Sequence, residues 1–143
     1  MSYNWSDAQP LSAIPSGKLV TFTVMHQAAN TQYVQIIDAS GEPISFTSLG
    51  GNTVTFPISG QGVEVDFFTN GAGKFIMQDG YKIQFANSGP QQSRAAAANP
   101  TLFYINDNEV GGGLMFAVED QPDSPSPDYN DTTITLEWYA YQG

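Results

Sequence analysis

From Leu19 to Tyr141, short runs of alternating apolar and polar residues follow one another. They are rich in Val, Ile, Thr, Phe and Tyr, and most end at Gly, Asn, Asp or Ser. A period of two turns successive side chains to opposite faces, the pattern of a half-buried strand. The runs place strands at 19–25, 33–38, 43–49, 53–59, 63–69, 74–78, 81–86, 101–106, 114–118 and 132–141. Turns are expected at Ala39-Ser40-Gly41, Gly50-Gly51-Asn52, Gly60-Gln61-Gly62, Asn70-Gly71 and Asp79-Gly80. Asn-Gly and Asp-Gly supply the positive φ that tight hairpins need. The implied fold class is all-β, an antiparallel β-sandwich of about nine strands, Greek-key-like. In the last run Ile134, Leu136, Trp138 and Ala140 share one face, while Thr133, Thr135, Glu137 and Tyr139 share the other. Residues 88–100 interrupt the alternation. They hold four consecutive alanines between prolines, too short a stretch for a stable helix, and read as a surface loop. Gly111-Gly112-Gly113 reads as a flexible turn entering the next strand; it lacks the Lys-Ser/Thr of a phosphate loop.

A chain of 143 residues is expected to form one domain, 1–143, with a buried core. Four Lys and Arg stand against fourteen Asp and Glu, a net charge of -10. That balance argues against nucleic acid and anionic membranes as partners, because both demand clustered bases. No apolar run is long enough for a membrane-spanning helix. With no cysteine there is neither a disulfide nor a thiolate metal site. The first residues carry no basic and apolar signal segment. The expected location is therefore cytoplasmic, or outside the cell by a non-classical route. Asn4-Trp5-Ser6 and Asn130-Asp131-Thr132 match the glycosylation sequon and are read as chance matches.

The acids are concentrated near the end of the chain. Glu119, Asp120, Asp123, Asp128 and Asp131 lie within one loop, and the last basic residue of the chain is Arg94. Like charges about 4 Å apart repel by about 4 kcal/mol at a surface-like dielectric. Such a loop folds with its acids widely spaced, with raised pKa values, or around a cation. Oxygen-only ligands suit calcium. The spacing is not that of an EF-hand, and strands rather than helices flank the loop.

The stretch Glu119-Asp120, Asp123, Asp128-Tyr129-Asn130-Asp131, followed by a strand with Trp138 and a final Gly143, resembles the calcium-mediated bacterial lectins of the fucose-binding lectin II family. Ile14-Pro15, the run from Leu19 to Gln32, and the run from Ser59 to Gly71 resemble the same family. The resemblance implies a non-enzymatic, calcium-dependent lectin, with two ions per subunit contacted directly by sugar hydroxyls. By it, Glu119, Asp123, Asp128 and Asp131 hold one ion. Asp128, Asn130, Asp131, Gln27 and the Gly143 carboxylate of a neighbouring subunit surround the other. Asp120 accepts a sugar hydroxyl, and Asp123, Asp128 and Asp131 also face the sugar. Ala28-Ala29 falls at the position that tunes sugar choice and implies mannose-type over fucose-type ligands. A homodimer or larger homo-oligomer is implied as well. Three features depart from the family pattern: Gln27 replaces an asparagine, Ser124-Pro125-Ser126-Pro127 lengthens the loop, and the tail after Asp131 is longer.

Other readings are weaker. His26 is the only histidine and reads as a structural residue at a strand end. Paired carboxylates such as Glu119 and Asp123 suggest glycoside hydrolysis, but the scaffold is small for a hydrolase cleft. Trp5, Trp138, Tyr104, Tyr139 and Tyr141 are candidates to stack on sugar rings but read first as core or interface aromatics, Tyr139 and Tyr141 at a subunit interface. The alternative to a lectin is a structural or adhesive β-sandwich whose loop binds calcium only for stability, or binds nothing.

Overall fold

The computed structural model describes residues 3–44, 46–48, 51–53, 55–58 and 66–141. Among them every regular element is a strand: β1 (Gln9–Pro10), β2 (Leu19–His26), β3 (Gln32–Ile37), β4 (Phe46–Ser48), β5 (Gly51–Thr53), β6 (Thr55–Ile58), β7 (Asp66–Ile76), β8 (Lys82–Asn87), β9 (Arg94–Ala97), β10 (Thr101–Ile105), β11 (Asn108–Glu119) and β12 (Thr132–Tyr139). They form two antiparallel sheets, as the alternation required. The smaller runs β1-β8-β3-β6. The larger runs β10-β11-β12-β2-β7-β4-β5, with β9 also on β11.

The core lies between the sheets. Val20, Phe22 and Val24 of β2, Leu114, Phe116 and Val118 of β11, and Ile134, Leu136 and Trp138 of β12 meet Val34 and Ile36 of β3 and Ile83 and Phe85 of β8. Phe85 and Phe116 meet across the two layers with ring centroids 6.1 Å apart. The faces expected for the last strand are correct: Ile134 and Leu136 are fully buried, while Glu137 and Tyr139 are exposed.

Several expectations are corrected. Residues 88–100 contain β9, whose Ala95, Ala96 and Ala97 pair with Val118, Ala117 and Phe116. Alanine has weak strand preference, so only the neighbouring edge of β11 makes this segment a strand. β9 and β10 divide that edge between them, β10 facing residues 108–113 and β9 facing residues 116–119. Asn70-Gly71 makes no hairpin; β7 runs through it, with a register irregularity against β2 between Thr23 and Met25. A tight turn instead joins β10 to β11 at Asn106 and Asp107, with φ of 50° and 65°. Two successive left-handed residues are the type I′ signature. Gly41 and Gly80 hold positive φ in their expected turns. The turn expected at Gly60-Gln61-Gly62 lies outside the described residues, as do Gly50 and Gly143.

Gly111-Gly112-Gly113 is not a turn but part of β11, paired with β10 on one side and β12 on the other. The reason is steric. A Cβ on Gly112 would stand 2.5 Å from Trp138 Nε1 and 2.8 Å from the Thr101 carbonyl oxygen. The missing side chain makes room for the indole that closes this end of the core. Gly112→Ala should therefore lower stability by about 1–3 kcal/mol. A urea melt checks this: the midpoint should drop with an unchanged slope, and an unmoved midpoint would mean that Trp138 shifts aside freely.

Candidate metal centre and its cleft

β11 and β12 pair up to Val118 and Thr132, so residues 119–131 form the connection of a long hairpin. β12 also pairs with β2, with Thr132 opposite His26. The segment that follows β2, Gln27–Asn30, is thereby delivered beside the acidic loop from about a hundred residues away in sequence. The Gln27 N–H donates to the Asp131 carbonyl at 3.1 Å and ties the two segments together.

The loop is organised around one buried carboxylate. Glu119 Oε1 accepts the N–H of Gln121 at 2.8 Å, and Oε2 accepts those of Asp128 at 2.7 Å and Tyr129 at 3.3 Å. Tyr129 holds φ at 55°, an uncommon conformation for a bulky residue, in a loop that turns its N–H toward Glu119. Ser124-Pro125-Ser126-Pro127 is accommodated as a bulge, and Asp128 returns to the cluster. Asp131 Oδ2 accepts the Asp120 N–H at 2.8 Å. Asp120 Oδ2 accepts the amides of Asn30 and Gln32, each at 3.0 Å. Gln32 is fully buried; its Oε1 accepts the Thr132 hydroxyl at 3.1 Å. Asn30 and Gln32 were not singled out in the sequence as site residues. A buried glutamine opening a mostly apolar strand is the signal that marks Gln32.

One oxygen each of Glu119, Asp128 and Asp131 lies within 4.8 Å of the others. Oxygens on opposite sides of one calcium stand about 4.6–5.2 Å apart, twice the usual Ca–O distance. The spacing fits the shell of a single ion. Glu119 and Asp131 are buried, 4% and 9% exposed, and neither makes an ion pair with a base among the described residues, although Arg94 stands opposite Glu119 in the β9–β11 pairing. A cleft of about 290 Å³ opens on the cluster and is also lined by Gln27, Ala28, Ala29, Asn30, Asp120 and Asn130. The structure thus gathers all the described residues expected at the site save Asp123. That residue faces away, into a neighbouring cleft, and its N–H donates to Gln91 Oε1 at 3.1 Å.

Protonation follows from burial. Desolvation pushes Asp131 up to about 7, helped by the charges of Asp120 and Glu119 and by a hydrogen bond with Glu119, and opposed by the Asp120 N–H. Burial also acts to raise Glu119, but the N–H groups of Gln121, Asp128 and Tyr129 and a hydrogen bond with Asp131 hold it below its ordinary value. The donor set is therefore hard, oxygen-only and short of positive charge, which fits a calcium ion.

A model of the fucose-binding lectin II (PA-IIL) family matches residues 12–140. Three solved structures share the fold. The C-terminal domain of the BC2L-C lectin from Burkholderia cenocepacia is 22% identical, with 91% of this chain and 93% of that chain covered and a TM-score of 0.61. The Chromobacterium violaceum lectin CV2L, in complex with α-methyl-fucoside, is 19% identical over 100% of both chains, with a TM-score of 0.59. The Ralstonia solanacearum high-affinity mannose-binding lectin is 21% identical over 100% of both chains, with a TM-score of 0.58. No curated protein matches the sequence.

The raised Asp131 makes stability depend on pH with a definite sign. A carboxylic acid whose folded pKa exceeds its unfolded value binds protons better when folded, so its contribution falls as pH rises from about 4 to about 7. Glu119, held below 4.5, acts in the opposite sense but only at lower pH. In EDTA, the wild type should lose more melting temperature than Asp131→Asn between pH 5.5 and 8, and saturating calcium should remove the difference in slope. Parallel pH profiles for the two proteins in EDTA would refute the assignment.

Proposed function

The chain belongs to the fucose-binding lectin II family, a non-enzymatic family of calcium-dependent bacterial lectins for fucose and mannose, and on that premise we propose that it binds mannose- or fucose-type monosaccharides directly through calcium. The observation that supports this reading is the cluster of Glu119, Asp128 and Asp131 within 4.8 Å, opening on a cleft shared with Gln27–Asn30. Glu119, Asp128 and Asp131 would hold a first ion. Asp128, Asn130, Asp131 and Gln27, with the terminal carboxylate of a neighbouring subunit, would surround a second. Bound calcium would supply a Lewis-acidic centre for sugar hydroxyls.

The chain's own residues do the rest. The backbone donors on Glu119 set the loop so that Asp128 and Asp131 face one another. The amides of Asn30 and Gln32 hold the Asp120 carboxylate at the cleft wall, and its second oxygen would accept a sugar hydroxyl. Ala28 and Ala29 leave the mouth of the cleft open to the ring, and by the family pattern favour mannose. Departure of Asp123 from the cluster leaves the first ion fewer protein carboxylates than the family pattern implied. Sugar or water oxygens would complete that shell.

Another observation supports a homodimer or larger assembly. Leu102, Phe103, Tyr104 and Ile105 are 42–61% exposed on β10, an edge strand, and Tyr139 on β12 and Tyr141 just after it are exposed as well. Large apolar groups on an open edge invite a second copy. Multivalent display would then add avidity.

The second reading, a calcium loop serving stability alone, is favoured by the many backbone bonds already made to Glu119. Calorimetry separates the two. Mannose or fucose should bind in calcium and not in EDTA, and Asp131→Ala should lose both ion and sugar. Calcium without sugar binding would support the stabilising loop, and sugar binding untouched by EDTA would sink the calcium mechanism. For the assembly, light scattering should show a dimer or larger species that Leu102→Asp with Ile105→Asp converts to monomer with the fold retained; a monomeric wild type would remove the proposal.

A further inference from the structure

The turn Gln121–Ser124, closed by the Ser124 N–H on the Gln121 carbonyl at 2.9 Å, is a ridge with a cleft on each side. Gln121 and Ser124 line the metal cleft, while Pro122 and Asp123 line the other. The second cleft is the larger, about 570 Å³ against about 290 Å³, within the range of small-molecule sites. Its polar groups come from three distant segments: Asp7 and Gln9 near the N-terminus, Gln91, Gln92 and Arg94 before and in β9, and Asp123. Two of them brace the walls, since Gln91 Oε1 accepts the Asp123 N–H and Gln92 Nε2 donates to the Trp5 carbonyl at 2.6 Å.

The others are uncommitted. Among the described residues, the Arg94 guanidinium and the carboxylates of Asp7 and Asp123 make no ion pair or side-chain hydrogen bond with the protein, although they line one cleft. Charges of both signs around a shared space, too far apart to pair, present donors and acceptors to whatever enters. Two carboxylates against one guanidinium disfavour an anion. Apolar side chains are few here, which disfavours an apolar ligand. A neutral polyhydroxyl compound matches: its hydroxyls donate to Asp7 and Asp123 and accept from Arg94 and the Gln9 amide. The ridge to the metal cleft is one turn, whose ends lie less than about 7 Å apart.

We propose that this cleft binds the second or third residue of a glycan whose terminal sugar sits at the metal centre, so that the natural ligand is an oligosaccharide. The proposal rests on the lectin reading above. The family resemblance implied that Asp123 holds the ion; in this cleft it would instead accept a hydroxyl of the extended chain, with Arg94 of the same cleft as a donor.

Calorimetry in calcium tests it, comparing methyl mannoside with α-linked mannobiose and mannotriose. At least one oligosaccharide should bind wild type about tenfold more tightly than the monosaccharide, the worth of one or two charge-assisted hydrogen bonds. Arg94→Ala should bring the oligosaccharide down to the monosaccharide level and leave methyl mannoside affinity unchanged. Asp7→Asn, in the same cleft and far from the ion loop in sequence, should act in the same direction. Equal affinities in wild type, or variants that weaken both ligands alike, would overturn the extended site while leaving the lectin reading intact. Failure of wild type to bind any of these sugars in calcium would instead remove the lectin reading, and this inference with it.

Discussion

Two buried carboxylates that meet without an ion-paired base organise the functional end of this molecule. Glu119 and Asp131 sit under the loop that joins β11 to β12, and the fold meets their cost in two different ways. Glu119 is solvated by three backbone N–H groups, so it stays ionised despite burial. Asp131 receives one such donor and two nearby negative charges, and retains its proton to about neutral pH. One carboxylate thus shapes the loop, and the other leaves it short of positive charge. A cation resolves that shortage by replacing the proton.

The central strands make the arrangement possible. β12 lies between β11 and β2, so the hairpin loop and the Gln27–Asn30 segment emerge side by side at one end of the large sheet. Gln32, at the start of β3 in the other sheet, reaches Asp120 and Thr132 and couples both layers to the site. The Phe85 and Phe116 contact and the Trp138 seat in the glycine track hold those layers together. Ligand residues therefore stand on a packed sandwich, and the irregular loop spans only the distance between two paired strands.

Much of this was readable in order along the chain. The final strand was read correctly in both faces because Ile134, Leu136 and Trp138 alternate with Thr, Glu and Tyr, and a buried face demands that period. The acidic loop was read as a cation site because five acids without a base have few ways to coexist. β9 was not readable: four alanines express no period, and they become a strand only because β11 offers a free edge. The glycine triplet read as a turn, since nothing local reveals that an indole carried by β12 fills the space a side chain would need. The family resemblance implied that Asp123 belongs to the ion, yet the Gln121–Ser124 turn sets it on the other side of the ridge.

Periodicity and charge are local properties, and they carried the fold class, the two faces of the last strand and the chemistry of the loop. Which acids converge, which one faces a second cleft, and where Gln27, Asn30 and Gln32 arrive depend on strand neighbours about a hundred residues apart. No alternation pattern records who pairs with whom across that distance. Burial of the joint core selects one sheet order, and that order, not the spacing of the acids, chooses the residues that share the cleft.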